Sequence, residues 1–234
     1  MTVLSIILGI LGAMGGVLWL IEQFRKRIRS RAFFQLFHPA EEIVIVLPSL
    51  GQSGPNITMT FEDALACATV QAAFIRHDIK YRIKLHTQIT DEDRASNLFL
   101  IGGEVVNEVM ASLDKLELYP IRAEPTPVGT QIRDRKGHSV HVPLRHGETD
   151  CAIVAALRNP WAGDHTKRVY LAAGAEGIGT WAAAVELTTN TQILRKRLRA
   201  FDVAMRRDFE AVLDVTVRGY QVPISVVTRA VHLA

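Results

Sequence analysis

The first 21 residues, MTVLSIILGILGAMGGVLWLI, contain no charged side chain, and the first charge is Glu22. A run of ~20 apolar residues is what an α-helix needs to cross a hydrocarbon core of about 30 Å. The segment that follows, residues 22–31, carries Arg25, Lys26, Arg27, Arg29 and Arg31 against one acid. Basic residues gather on the cytoplasmic side of a membrane helix. A cleaved signal peptide would instead place them before the apolar run and a small-residue cleavage site after it. The expectation is a single transmembrane helix over residues 1–21, N-terminus out, with Trp19 near the interface. A basic juxtamembrane helix or linker, 22–40, then leads to a cytoplasmic domain, 41–234, below the cell inner (plasma) membrane. Gly9, Gly12, Ala13 and Gly16 recur at three- and four-residue spacing, the small-residue pattern that lets membrane helices pack closely. A homo-oligomer assembled through this helix, in contact with membrane lipid, is therefore expected.

With 48% hydrophobic and 22% charged residues, the 234-residue chain has the makings of a packed core rather than a disordered segment. Its net charge is +3, and the juxtamembrane patch accounts for more than that excess, leaving the rest slightly acidic. This argues against direct nucleic-acid binding, which calls for a basic stripe across the folded domain. The two cysteines, Cys67 and Cys151, are far apart and form no CxxC pair or metal-type spacing. Two free thiols in a reducing compartment follow.

Beyond residue 40 the pattern alternates. EIVIVLP (42–48) is a short β-branched run suited to a buried central strand. SLGQSGPNIT is a loop by its Gly, Ser, Asn and Pro content. Thr60, with Asp63 three positions on, marks the start of a helix running to about His77. KYRIKLHT (80–87) and SNLFLIGG (96–103) read as strands, and EVVNEVMASLDKL as a helix beginning directly after the two glycines. Shorter strands are expected over 117–146, with a turn near Gly137. CAIVAAL (151–157) and KRVYLAAG (167–174) read as further buried strands around a loop. GIGTWAAAVELTTNTQILRKRLR reads as one long helix, and residues 211–231 as strands. Strands alternating with helices imply an α/β, Rossmann-like domain with a mainly parallel sheet.

Ligands of such sheets bind outside the carboxyl ends of the strands. Three strand-to-helix junctions supply candidates there: Ser49, Gly51, Gln52 and Ser53; Gly102, Gly103, Glu104 and Asn107; and Gly174, Gly177, Gly179 and Thr180. Glycine lets the backbone turn sharply and come close to a ligand, and a helix N-terminus favours an anion. Together the junctions point to a nucleotide-type or other anionic ligand. None carries the full dinucleotide fingerprint, and GAEGIGT lacks the lysine of a phosphate-binding P-loop. Glu104, Asp150 and Glu176 are carboxylates near the junctions, available to hydrolytic chemistry or to the helix dipoles. His138, His141 and His146 invite a zinc site, but without a fourth ligand nearby they read as exposed strand residues. Trp161 reads as a packing residue, and Arg195, Lys196, Arg197, Arg199, Arg206 and Arg207 as a solvated basic face. No cofactor, metal or catalytic residue is assigned.

LPSLGQS resembles the first ligand loop of CARF domains, Rossmann-like sensors of cyclic oligoadenylates in prokaryotic antiviral systems. YLAAGAEGIGTWAAA is similar to their second loop, with Trp181 where that loop usually carries a lysine. The resemblance implies a sensor or effector that answers a nucleotide second messenger or a soluble protein partner. In that reading the membrane helices assemble, with perturbation of the membrane as one outcome in antiviral defence. The alternatives are a membrane-tethered hydrolase of a nucleotide or nucleoside, and a non-catalytic anchor that recruits a soluble partner.

Overall fold

The computed structural model describes residues 30–38, 41–49, 51–53, 56–103, 106–118, 121–126, 129–134, 139–141, 149–216 and 222–233. A helical stretch, α1, covers residues 30–36. Then follow β1 (Ile43–Leu47), β2 (Gly51–Ser53), β3 (Asn56–Thr58), α2 (Phe61–Arg76), β4 (Tyr81–Leu85), α3 (Asp91–Arg94), β5 (Asn97–Ile101) and α4 (Glu108–Asp114). The second half holds β6 (Ile121–Thr126), β7 (Gly129–Asp134), β8 (Ser139–His141), β9 (Thr149–Arg158), β10 (Arg168–Gly174), α5 (Gly177–Thr188), α6 (Thr191–Arg199), β11 (Phe209–Thr216) and β12 (Ile224–His232).

Local sequence explains most of these elements. All five residues of β1 and of β5 are buried, as an apolar run covered on both faces requires. Thr60 caps α2, its Oγ1 accepting the Asp63 N–H at 3.0 Å. The long helix expected over 177–199 is instead two. Thr189 and Asn190 both donate to the Val185 carbonyl, at 2.8 and 2.9 Å, which closes α5 before α6 begins. The Thr-Thr-Asn-Thr run at this break is poor in helix propensity.

The principal sheet has the order β12-β11-β9-β10-β5-β1-β4. β4, β1, β5 and β10 run parallel. β9 is antiparallel to both β10 and β11, and β11 to β12. The sheet is therefore mixed, which corrects the expectation of a mainly parallel one. The physical reason lies in residues 159–167: the link from β9 to β10 is far too short for the crossover that a parallel pair needs, and suffices only for a hairpin.

α2, α5 and α1 cover one face. There Phe33, Phe37, Phe74, Phe99 and Tyr170 join the main core, with Phe37 and Tyr170 rings 4.5 Å apart. α4 covers the other face, setting Val109, Met110 and Leu113 against Val44, Val46, Leu98 and Leu100. The small sheet β6-β7-β8 brings Ile121 and Ile132 onto Cys151, Ile153 and Val212. Cys67 and Cys151 are free and buried.

Among the described residues no helix is long and apolar enough to cross a membrane. The single-pass, N-terminus-out placement in the plasma membrane is set aside on that finding. The run 1–21, with Gly9, Gly12, Ala13 and Gly16, lies outside the described residues, as do residues 22–29.

Candidate functional site

From β1 the chain moves outward to β4, then crosses back to β5 and on to β10. The winding reverses between β1 and β5, and at such a switch point the carboxyl ends of the two strands diverge into a crevice. Pro48 follows β1 and has no N–H with which to continue the ladder. The Ser49 N–H donates to the Val106 carbonyl at 3.2 Å, and the Val106 N–H to Gly103 O at 3.3 Å. The end of β1 is thus tied to the turn that leaves β5.

The two glycines of that turn differ. Gly102 has φ +87°, which favours glycine, and a Cβ there would come within 3.1 Å of Pro48. Gly103 differs: among the described residues a Cβ there would meet nothing within 4 Å. Its N–H has no acceptor among the described residues. Asn107 is buried and caps α4. Its Oδ1 accepts from the Val109 and Met110 N–H groups at 3.1 and 3.2 Å, and its Nδ2 donates to Ile101 O at 3.0 Å. Both polar atoms of that side chain are engaged in holding the turn.

The third wall comes from β4. His86, the residue directly after that strand, is buried and places Nε2 2.8 Å from Ser49 Oγ. Its Nδ1 accepts the Glu108 backbone N–H at 3.4 Å, and one Glu108 carboxylate oxygen stands 3.8 Å from the same nitrogen. Glu108 itself is 75% exposed. When Nδ1 of a neutral imidazole accepts a hydrogen bond, its hydrogen sits on Nε2. In this arrangement Nε2–H donates to Ser49 Oγ, which leaves the serine hydrogen to be donated elsewhere.

The junction after β10 is built differently. Asp150, buried near the start of β9, accepts the backbone N–H groups of Cys151 (2.6 Å), Glu176 (3.2 Å) and Gly179. Burial pushes its carboxyl up to about 6. The three N–H groups favour the charged form, while the nearby Glu176 carboxylate adds to the rise. A helix N-terminus suits an anion, and at α5 a carboxylate of the protein already sits there. Gly174 and Gly179 are small because backbone fills the space. A Cβ at Gly174 would lie 2.3 Å from Thr180 N, and one at Gly179 2.6 Å from Cys151 O. Gly177 faces Glu62 of α2, and Thr180 Oγ1 accepts the Gly174 N–H at 3.0 Å.

Of the residues singled out in the sequence, the structure brings Ser49, Gly102, Gly103 and Asn107 together where the carboxyl ends of β1 and β5 meet. Gly174, Gly177, Gly179 and Thr180 lie at the neighbouring junction, engaged with Asp150, Glu62 and each other. Gly51, Gln52 and Ser53 form β2, which pairs with β3 in a hairpin rising from the end of β1. Glu104 lies outside the described residues, as do His138 and His146. Among the described residues no three His, Cys, Asp or Glu side chains are placed to hold a metal ion. Trp161 follows β9 and so belongs to the opposite edge of the sheet, where Arg94 stands 5.8 Å from its ring. Trp181 turns toward α2 and donates to Thr69 Oγ1 at 3.1 Å.

His86 and Glu108 were not singled out in the sequence. The signal was present in part: His86 ends the strand KYRIKLH, at the carboxyl edge where ligands bind. Glu108 sits in a segment read as mid-helix, and it becomes a first-turn residue because α4 starts at 108 rather than 104. No protein-family model and no curated protein matches the chain.

Proposed function

We propose that the protein is a ligand-binding domain whose crevice between β1 and β5 takes a nucleoside- or nucleotide-type small molecule, as a sensor domain does. The observation that carries this reading is the open backbone at Gly103 beside the Ser49–His86 pair, at the point where the winding of the parallel strands reverses. Ser49 offers a hydroxyl hydrogen and Gly103 an N–H. Glu108 offers an exposed carboxylate of the kind that accepts hydrogen bonds from sugar hydroxyls.

The charge balance narrows the ligand. Asp150 occupies the N-terminus of α5, and the Glu108 carboxylate stands beside His86 at the crevice. A sugar and base are better suited to this wall than a run of phosphates. Nucleosides and nucleoside monophosphates are the ligands to try, followed by NMR of the amide resonances. The reading expects saturable shifts at Gly103 and Val106, abolished by Gly103→Val. It fails if the shifts are absent, or if they cluster on α6 or the opposite sheet edge.

A further inference from the structure

The geometry points to Ser49 as a nucleophile, His86 as its general base and Glu108 as the positioning carboxylate of an acyl-transfer site that cleaves carboxylic esters of a hydroxyl-bearing small molecule. This rests on the crevice being the ligand site proposed above and goes beyond it, from binding to turnover. The three side chains come from three separate segments, after β1, after β4 and at the start of α4: Ser49 and His86 are hydrogen-bonded, and the Glu108 carboxylate stands 3.8 Å from the other ring nitrogen. Nucleophile and base within hydrogen-bond reach, with a third group able to orient the base, is the arrangement that activates a serine hydroxyl.

In the free protein the pair rests in the inactive sense, with Nε2–H donating to Ser49. Two features make the reversal easy. The Glu108 N–H contact to Nδ1 is 3.4 Å long, beyond the usual N–H···O range of 2.7–3.2 Å. The Glu108 carboxylate, 3.8 Å away on a mostly exposed side chain, needs to move only about 1 Å to accept a hydrogen from Nδ1. A hydrogen bond to a charged acceptor is roughly twice as strong as a neutral one, and a bound substrate that excludes water strengthens it further. With the ring hydrogen on Nδ1, Nε2 is free to accept the Ser49 hydroxyl at the same 2.8 Å separation.

The chemistry then balances in two steps. Ser49 Oγ forms a bond to the ester carbonyl carbon while His86 Nε2 takes the serine proton. The tetrahedral adduct collapses, the bond to the alcohol oxygen breaks, and His86 returns the proton to the leaving alkoxide. Water attacks the acyl-serine with its proton going to His86, and the carboxylic acid leaves as Ser49 recovers its hydrogen. Phosphodiesters are disfavoured, because the Glu108 carboxylate would repel their charge.

The test is covalent labelling of the full chain with a fluorophosphonate probe, in which serine oxygen displaces fluoride at phosphorus, read by mass spectrometry. One adduct on Ser49 is expected. Ser49→Ala should carry none, and His86→Gln should label about 100-fold more slowly or worse. Glu108→Gln should lose most of the labelling rate and Glu108→Asp should recover it, a rescue that a structural role of the surface glutamate would not produce. The hydrolysis of p-nitrophenyl acetate should follow the same order. No adduct on Ser49, or equal labelling of the His86→Gln protein, overturns the inference. An adenosine titration read at the Gly103 amide separates the two readings. A shift without labelling leaves binding and removes the nucleophile, whereas labelling without a shift removes the nucleoside ligand.

Discussion

Asp150 and Gly179 are joined by a carboxylate-to-backbone hydrogen bond that fastens the start of β9 to the first turn of α5. Because the Asp150 carboxyl stands at about 6, the native state holds a proton that unfolded carboxyls, near about 3.9, have already released. Linkage then sets the sign: stability falls as pH rises from about 4 to about 6 and levels off above that. The size is on the order of 2–3 kcal/mol for a shift of about two pH units. Urea unfolding of the wild type and of Asp150→Asn, at steps between pH 4 and 7, should show this slope in the wild type alone. Equal slopes in both proteins remove Asp150 as its source.

Asp93 should respond in the opposite sense. Burial pushes its carboxyl up, but the Lys84 ammonium at 2.6 Å and the Thr90 N–H and hydroxyl at 2.9 and 2.8 Å outweigh it and hold it at about 2. Arg82 adds a second contact at 2.9 Å. The folded value lies below the unfolded one, so this contribution is present above about pH 4 and is lost as pH falls toward 2. The gap in urea midpoint between wild type and Asp93→Asn should be wide at pH 6 and narrow steadily below pH 4.

How much of this could be read from the chain depends on what each interaction looks like in one dimension. The strands IVIVL, NLFLI and RVYLAAG announce themselves, because a strand buried on both faces must be apolar throughout. Their direction is another matter. β9 is as apolar as its parallel neighbours, and only the shortness of 159–167 reveals that it turns back antiparallel. The glycines misled for a related reason. Gly103 and Gly174 occupy equivalent places at the ends of parallel strands, yet a Cβ at one meets nothing among the described residues and a Cβ at the other is crowded by the backbone of its own turn. Asp150, whose carboxylate holds that turn through the Glu176 and Gly179 N–H groups, lies 24 positions from Gly174 and is brought near it by the pairing of β9 with β10. Ser49 and His86 are likewise 37 positions apart, joined by the β1–β4 register.

The attachment of α1 should depend on one phenol. Tyr170 is buried in β10 and its hydroxyl donates to the Leu36 carbonyl, while burial pushes that phenol up. Tyr170→Phe leaves the carbonyl buried without that donor, a loss of about 1–3 kcal/mol. The loss should be local as well as global. The Phe37 N–H, bonded to Phe33 O at 3.0 Å, should exchange with solvent faster in the variant, while amides of β1 and β5 keep their protection relative to global stability.

The contrast between Gly103 and Gly174 gives the sharpest test of which junction serves a ligand. At Gly174 a methyl group would stand 2.3 Å from Thr180 N and 2.4 Å from Glu176 O, both backbone atoms with nowhere to move while Asp150 holds the turn. Gly174→Ala should therefore lower stability by about 1–3 kcal/mol or more, the range for overpacking a tight core site. At Gly103 the same group meets nothing within 4 Å among the described residues, and no positive φ opposes a side chain. Gly103→Val should leave the thermal midpoint within a few degrees of the parent. It should nonetheless abolish the nucleoside-induced amide shifts and slow labelling of Ser49, because its methyl groups occupy the volume a ligand would fill. The pair separates two meanings of one local pattern, a strand ending in glycine before a helix: one glycine is required by packing, the other by access. If Gly103→Val unfolds the protein as readily as Gly174→Ala does, the crevice at β1 and β5 is a structural turn, and both the ligand and the nucleophile assigned to it lose their ground.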